Sequence, residues 1–505
     1  MRFNKLTSRI KKILNHEGAP AWKMDPQMEL YTAVVTSSLS HTFYEGDEQR
    51  VLRVRELIAA NDPEFVAKLA VYARTEMHLR SMPLVLVAEL AMIHRGDNLV
   101  SRTVEKVVQR ADEITELLAY YQMANGREGV KKLNRLSKQV QKGLARAFMK
   151  FSEYQLAKYD RATEVRLRDA LFLVHPKAAT AGQQEVLDKL AADELATPYT
   201  WETELSALGS EVYISEEDKK LAFTDKWEEL IANDALGYMA MMRNLRNMLN
   251  ANISGEYVDV VCTRLADPDR VSRARQLPFR YLAAYKEVRD HPSGYTGMVL
   301  QALERAVVQS IGFMEGFGPD TRVAIASDVS GSMYMPVSRR SKVMLYDVGL
   351  MMSMMLKAKC QYVVSGVFGT NYKAVTLPAE PILGNTVEMT RIANTVGYAT
   401  NGHLALTDLT KNRHVVDKVM VFTDCQLWDS TGNKGSLNRA WIHYKRMNPA
   451  AKLYVFDLAG YGQSPVRLPQ KDVYLIAGWS DKVFEVLDHL ENGGETLDMI
   501  EGVTL

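Results

Sequence analysis

The chain has 505 residues, of which 47% are hydrophobic and 24% charged, so it is long enough for two or more globular domains with sizeable cores. A net charge of +1 excludes any argument for nucleic acid from the total, and leaves only local basic faces to carry one. Three widely spaced cysteines without zinc spacing argue against a disulfide framework. With no signal-like N-terminus and no apolar run of about 18 residues, they point to a cytoplasmic protein off the membrane.

Apolar residues recur with helical period over residues 62–75, 83–93, 101–121, 129–148, 164–174, 183–192, 226–250, 255–263 and 296–313. Short polar connections between them predict an all-α domain of stacked helical pairs over residues 1–318, although no strict internal repeat is visible. Within it, residues 129–148 wind Lys131, Arg135, Lys138, Lys142 and Arg146 onto one face. Leu133, Leu136, Val140, Leu144 and Ala147 fall on the other. Such a stripe suits a phosphate backbone, and a merely solvated helix face is its plain alternative.

The texture changes near Gly316-Phe317-Gly318-Pro319. Short β-branched runs at 322–328, 361–368, 418–424, 452–458 and 472–477 alternate with helical stretches at 342–359, 387–396, 402–411, 435–447 and 481–490. This alternation predicts an α/β domain over residues 319–505, a doubly wound parallel sheet with helices on both faces. Ligands of such sheets sit beyond the carboxyl ends of the strands, where the chain order reverses.

Two runs end in an aspartate, Asp328 and Asp424. After the first comes Asp328-Val329-Ser330-Gly331-Ser332, in which two hydroxyls two residues apart can face one point while Gly331 keeps the turn clear. Hydroxyl and carboxylate oxygens suit a hard divalent cation, Mg²⁺ or Mn²⁺. Thr400 supplies a third hydroxyl from a second loop, with Thr395 as its competitor, and Asp424 a second carboxylate. The plain alternatives are a helix-capping Ser330 and Thr400. Cys425 reads as a small structural residue, and the methionines after the motif as core filler.

Taken together, the Asp-x-Ser-x-Ser motif, Thr400 and Asp424 resemble the metal-ion-dependent adhesion site of the von Willebrand factor A family. Further landmarks lie at residues 39–49, Thr200-Trp201-Glu202, Met242-Arg243-Asn244-Leu245, Leu277-Pro278-Phe279-Arg280 and Leu497-Asp498-Met499-Ile500. With DVSGSM they make nearly the whole chain similar to the Ro ribonucleoprotein autoantigen family, a TROVE module followed by a von Willebrand factor A domain, of bacterial type. The resemblance implies a ring of HEAT-like helical repeats closed by that domain, acting as a monomer. It implies an RNA-binding scaffold and no enzyme, with Y-type small RNAs on the outside and single-stranded 3′ ends of misfolded RNAs in the hole, in RNA quality control. An exoribonuclease such as polynucleotide phosphorylase is the implied protein partner. The alternative function is a metal-dependent protein-binding module without a primary RNA role.

Carried over by residue, Ser330, Ser332 and Thr400 are the implied direct metal ligands, with Asp328 and Asp424 close by. Lys131, Lys132, Arg135, Lys138, Lys142, Arg146, His175, Lys177, Arg243 and Arg280 are the candidates for RNA contact. The chain has Ala399-Thr400-Asn401 where Gly-Thr-Asp is commoner in the family, which bears on the geometry of that loop.

Overall fold

The computed structural model describes residues 12–36, 44–125, 136–274, 276, 278–312, 317–338, 341–432, 435–478, 482–491 and 494–505. They fall into two compact units. One lies within Pro26–Leu39, Asp47–Tyr199 and Leu497–Leu505, the other within Met1–Asp25, Ser40–Gly46 and Thr200–Thr496. The all-α reading of residues 1–318 is corrected at its start, where Lys12–Leu14 and Pro20–Lys23 are strands, and compactness groups these strands and the helices after Thr200 with the sheet.

Among the described residues the regular elements of the first unit are all helices, from Pro26–Val35 to Ala181–Ala192, with Asp498–Glu501 packing back on Pro63–Thr75. Local chemistry sets the helix starts. Asp62 accepts the Glu64 amide at 2.8 Å ahead of Pro63, and Ser152 and Thr180 cap their helices in the same way. Leu69, Leu86, Leu90, Val104, Leu117 and Leu144 are wholly buried between the helices. Each such side chain contributes roughly 1.5–3 kcal/mol by leaving water. The helix expected over 101–121 is two, Leu99–Val107 and Asp112–Ala124. Glu113 accepts the amides of Gln109 and Arg110 at 2.8 and 3.0 Å, which gives those donors a partner outside the helical ladder. Glu113 is itself held by buried Arg74 at 2.8 Å. At Gly143 in Lys138–Phe148 a Cβ would come within 2.6 Å of the Val104 Cβ, so the glycine permits that close helix crossing.

Among the described residues the second unit is built on nine strands: β1 (Lys12–Leu14), β2 (Pro20–Lys23), β3 (Arg322–Asp328), β4 (Tyr362–Phe368), β5 (Tyr372–Val375), β6 (Lys418–Thr423), β7 (Lys452–Asp457), β8 (Gln463–Ser464) and β9 (Val473–Ala477). Six form one sheet in the order β5-β4-β3-β6-β7-β9, parallel except for β5 against β4. Its central strands read as continuous apolar runs because helices cover both faces; every residue of β6 is buried. The sequence pattern missed β5, a four-residue edge strand, and the antiparallel β1-β2-β8 sheet, whose strands are too short for periodicity to show.

The helix expected over 226–250 is likewise broken, into Glu216–Ala232, Tyr238–Arg243 and Leu245–Asn250. Asp234 stands in the left-handed region (φ 50°) and pairs with Arg264 and Arg270. Helix Thr296–Ile311 joins the sheet layer chemically: Glu304 accepts the Leu383 and Gly384 amides, at 3.0 and 2.8 Å, at the start of Ile382–Ala393. Among the described residues no helix is long and apolar enough to cross a membrane. All three cysteines are buried as free thiols.

Candidate functional site

Chain order reverses at β3, which pairs with β4 on one side and β6 on the other. The loops leaving β3 and β6 therefore open onto the same crevice, and Asp328 and Asp424 stand at their heads. Asp328 uses both oxygens: Oδ1 accepts the Ser330 amide at 2.9 Å and Oδ2 the Thr423 hydroxyl at 2.7 Å. It thereby bends the Asp-x-Ser-x-Ser turn and ties β3 to β6. The Ser330 and Ser332 hydroxyls lie 3.4 Å apart and face each other, as the two-residue spacing requires. Gly331 departs from expectation. Its φ is not positive, and a Cβ there would meet nothing within 4 Å, so sterics do not demand glycine at this turn.

Thr400 reaches the crevice on a loop built by close backbone approach. Gly397 has φ +78°, and a Cβ on Gly369 would clash with the Gly397 carbonyl oxygen. The Gly331 amide donates to the Tyr398 carbonyl at 3.1 Å, fastening this loop to the serine turn. The Thr400 hydroxyl donates to the Gln426 carbonyl at 3.1 Å and accepts the Trp428 amide at 3.0 Å, which leaves one lone pair. Asn401, at the family's commoner aspartate position, is fully buried: its Nδ2 donates to the Thr370 carbonyl (2.7 Å) and Ser430 Oγ (2.8 Å), while its Oδ1 accepts the Ser430 amide (2.9 Å). The amide therefore locks the loop through donors that a carboxylate would lack. Thr395, the competing candidate, is exposed and donates to the Ile392 carbonyl at the end of the preceding helix.

Electrostatically the crevice is short of positive charge. Asp328, Ser330, Ser332, Thr400 and Asp424 are all between 0% and 4% exposed. Among the described residues no lysine or arginine pairs with either aspartate. Burial, then the neighbouring Asp424, raises the Asp328 pKa; burial raises that of Asp424, with the Glu17 charge adding to it. Asp424 Oδ1 accepts the Gln426 amide at 3.0 Å, whereas Oδ2 is buried without a well-formed hydrogen bond, the Ser332 hydroxyl only partly offsetting the cost. An orphaned carboxylate oxygen beside converging hydroxyls fits a hard divalent cation such as Mg²⁺ or Mn²⁺. Among the described residues no three His, Cys, Asp or Glu side chains converge on a metal position, so the donors here are mainly hydroxyls. Cys425 is buried at φ 64°; burial and then three surrounding aspartates keep its thiol protonated, so it is no nucleophile.

Sequence reasoning missed a further wall of the crevice. The turn between β1 and β2 docks on the strip after β6: Asn15 Nδ2 donates to the Leu427 carbonyl at 2.9 Å and the His16 amide to Gln426 Oε1 at 2.8 Å. This turn carries Glu17, which accepts from the Tyr44 hydroxyl. The only local signal was the turn-forming Asn15-His16-Glu17-Gly18, and nothing in it points to a partner some 400 residues away in sequence.

The candidate RNA contacts are spread over both units. Lys131, Lys132 and Arg135 lie outside the described residues. Lys138, Lys142 and Arg146 are exposed on helix Lys138–Phe148, opposite buried Val140, Leu144 and Ala147. The stripe is not purely basic, because Glu105 of the neighbouring helix pairs with Arg146 at 3.2 Å. His175, in the left-handed region (φ 49°), and Lys177 are exposed just beyond helix Leu167–Val174, where Phe172 is also open to solvent. Arg243 and Arg280 belong to the other unit, on helices Tyr238–Arg243 and Pro278–Val288, which pack against each other. Neither forms an ion pair or side-chain hydrogen bond among the described residues. Both keep a face to solvent, yet crowding by protein atoms, then the Arg243 charge, lowers the Arg280 pKa.

Comparison with known proteins assigns both halves of the chain. The TROVE domain matches residues 28–197 and 193–293, and the Ro60 vWA domain matches residues 322–490. Telomerase protein component 1 of Mus musculus is 25% identical over 317 residues, 47% of this chain and 12% of that protein. The same protein of Rattus norvegicus is 25% identical over 307 residues, 45% of this chain and 11% of that one. The chain thus spans a small part of these curated relatives. Among solved structures, the crystal structure of the Deinococcus radiodurans RO (RSR) protein superposes with a TM-score of 0.59 at 18% identity, covering 90% of this chain and 97% of that one. At that identity the likeness speaks for the fold, a helical-repeat region with a von Willebrand factor A domain.

Proposed function

This chain belongs to the Ro family of RNA-binding proteins, and on that premise we propose that it is a monomeric cytoplasmic scaffold for small structured RNAs. In this reading it holds Y-type RNAs and the single-stranded 3′ ends of misfolded non-coding RNAs without chemical turnover, and hands the latter to an exoribonuclease such as polynucleotide phosphorylase. The observation that carries the proposal is the exposed Arg243–Arg280 pair, on two helices that pack together inside the TROVE match, with no carboxylate partner among the described residues. Guanidiniums bind phosphate bidentately, and such contacts position an RNA without reading its bases. Exposed Lys138, Lys142, His175 and Lys177, with Phe172 as a stacking face, extend the same chemistry in the helical unit. A catalytic role is not favoured: the hydroxyl-rich crevice offers neither a two-metal clamp nor an evident general base. Fluorescence anisotropy of the full chain with a stem-loop RNA bearing a single-stranded 3′ tail is the test. Saturable binding at physiological salt is expected; its absence there and at low salt would end the RNA reading.

A second reading concerns the crevice. Ser330, Ser332 and Thr400, with Asp424 Oδ2, would hold Mg²⁺ or Mn²⁺, and the cation would take a carboxylate from a protein partner. It is supported by the orphaned, fully buried Asp424 oxygen. Calorimetric titration with Mn²⁺ tests it independently of RNA.

A further inference from the structure

Glu17 has no role in either reading, yet much of the second unit's local structure serves to hold it in place. Asn15 is buried and spends its side chain on the turn: Oδ1 accepts the Glu17 and Ala19 amides at 3.1 and 2.8 Å, while Nδ2 anchors to the Leu427 carbonyl. Gly18 adopts φ +74° to close the turn. His16 donates its amide to Gln426 Oε1, and Gln426 in turn donates its own amide to Asp424. The turn is therefore fixed to the strip that carries a candidate ligand. From the other side, Tyr44 stacks on His16 (centroids 5.0 Å apart, planes at 8°), and its hydroxyl donates to the Glu17 carboxylate. Tyr461 packs edge-on against both rings, and its hydroxyl accepts the Tyr44 amide at 3.3 Å.

The outcome is a third carboxylate close to two that are already buried together. Glu17 stands on a turn that is hydrogen-bonded to Gln426 and Leu427, two and three residues beyond Asp424, and it lines one cleft with Thr400. Holding a carboxylate there without a cation sets like charges against each other; with a cation, the same arrangement supplies one more hard oxygen donor. The tip of the turn is exposed, so its placement is not a matter of core packing.

We propose that Glu17 is the chain's own carboxylate ligand for the cation of the Ser330, Ser332 and Thr400 site, filling in cis the position that an acidic partner would otherwise take. This rests on the metal reading given above. Tyr44 is then a positioning residue, directing the carboxylate through its hydroxyl. The consequence is a self-closed site: an acidic protein partner gains the cation only by displacing the β1-β2 turn. A cleft of ≈ 730 Å³ beside Glu17 and Thr400, also lined by His403 and Trp428, offers room for a displacing segment.

The test is Mn²⁺ titration of the full chain by calorimetry and electron paramagnetic resonance, for wild type, Glu17→Gln, Glu17→Ala and Ser330→Ala/Ser332→Ala, with and without added acetate. Glu17→Gln keeps the shape of the turn, and circular dichroism checks the fold of each variant. Wild type is expected to bind, and both Glu17 variants to bind at least about tenfold more weakly. Acetate should restore affinity in Glu17→Ala and change nothing in wild type, where the position is filled. Unchanged or tighter Mn²⁺ binding in both Glu17 variants, beside a serine double variant that has lost it, would overturn the proposal and leave the metal site standing. Absence of Mn²⁺ binding in wild type would overturn both.

Discussion

The hydroxyl crevice and the basic surfaces solve opposite problems. In the crevice Asp328, Ser330, Ser332, Thr400 and Asp424 are all buried, and Asp328, Thr400 and Asp424 are each fixed by hydrogen bonds to backbone amides before any ligand arrives. On the helical unit, Lys138, Lys142, His175 and Lys177 stand in solvent with no ion pair among the described residues. A cation needs several oxygens at one point, so misplacing one donor is costly and the surroundings must hold each. A phosphate chain needs only positive charge along a track, gained largely through counterion release, so long mobile side chains suffice. Local rigidity thus separates a chelating site from a polyanion surface within one chain.

The strongest way to break this contrast is to empty the crevice. Replacing Ser330 and Ser332 together by alanine should reduce Mn²⁺ or Mg²⁺ binding below detection in calorimetry. RNA affinity should stay within about twofold in the same preparation, because the basic residues lie elsewhere and phosphate contacts dominate affinity. A parallel loss of RNA binding with the fold intact would show that the two regions are not separate devices.

Next in size is the guanidinium pair. Arg243→Gln/Arg280→Gln removes up to two phosphate contacts. For single-stranded RNA, the salt slope of log affinity should flatten by about 1.4, at roughly 0.7 per contact. Cation binding in the crevice should not change. Anisotropy at several salt concentrations reads the slope, and an unchanged slope would move the RNA to the helical unit alone.

What the sequence made legible follows the same division. Asp328, Ser330 and Ser332 were readable because one turn after one strand carries all three, and Asp424 because it ends another apolar run. Thr400 was harder, since its position depends on Gly369 and Gly397 meeting across two loops, which no local pattern encodes. Glu17 and Tyr44 were illegible for the same reason: they arrive on elements about 300 or 400 residues away in sequence. Helix breaks at residues 108–111 and 233–237 escaped periodicity because a Glu113 side chain and an Asn233-Asp234 turn end the helices while the apolar spacing runs on. The basic stripe was legible as a face, yet its neutralising Glu105 comes from another helix.

A smaller effect tests the electrostatics of the crevice. Asp328 and Asp424 have pKa values raised by burial, so the native state without a cation keeps protons that the unfolded chain releases above the ordinary carboxylate range. Their contribution to stability therefore falls as pH rises from about 4 toward 7. A bound divalent cation holds both groups ionised and removes that loss. The melting temperature in Mg²⁺ minus that in EDTA should accordingly widen by a few degrees on going from about pH 5 to about pH 7.5. Using the difference cancels the opposite contributions of Asp234 and Asp417, whose arginine partners lower their pKa values. A constant or narrowing difference would detach the pair from any cation.

The finest distinction lies on helix Lys138–Phe148, where the neighbouring side chains rank the basic residues. Lys138 and Lys142 have no ion pair among the described residues, whereas Arg146 is held by Glu105 at 3.2 Å, both groups being well exposed. An exposed pair of this kind is worth about 0.2–1 kcal/mol, so Glu105 competes with phosphate for Arg146 without excluding it. Lys138→Gln/Lys142→Gln should therefore lower the single-stranded salt slope by about 1.4, and Arg146→Gln by less than about 0.7. Glutamine keeps helix propensity close to that of lysine and arginine, so the fold is unaffected. Glu105→Gln should act in the other direction: with its competitor gone, Arg146 is free to bind phosphate, and RNA affinity at low salt should rise by up to about fivefold. Weaker RNA binding in Glu105→Gln would mean that the pair positions Arg146 for RNA, and an effect of Arg146→Gln as large as half that of Lys138→Gln/Lys142→Gln would show that the ion pair does not hold in solution.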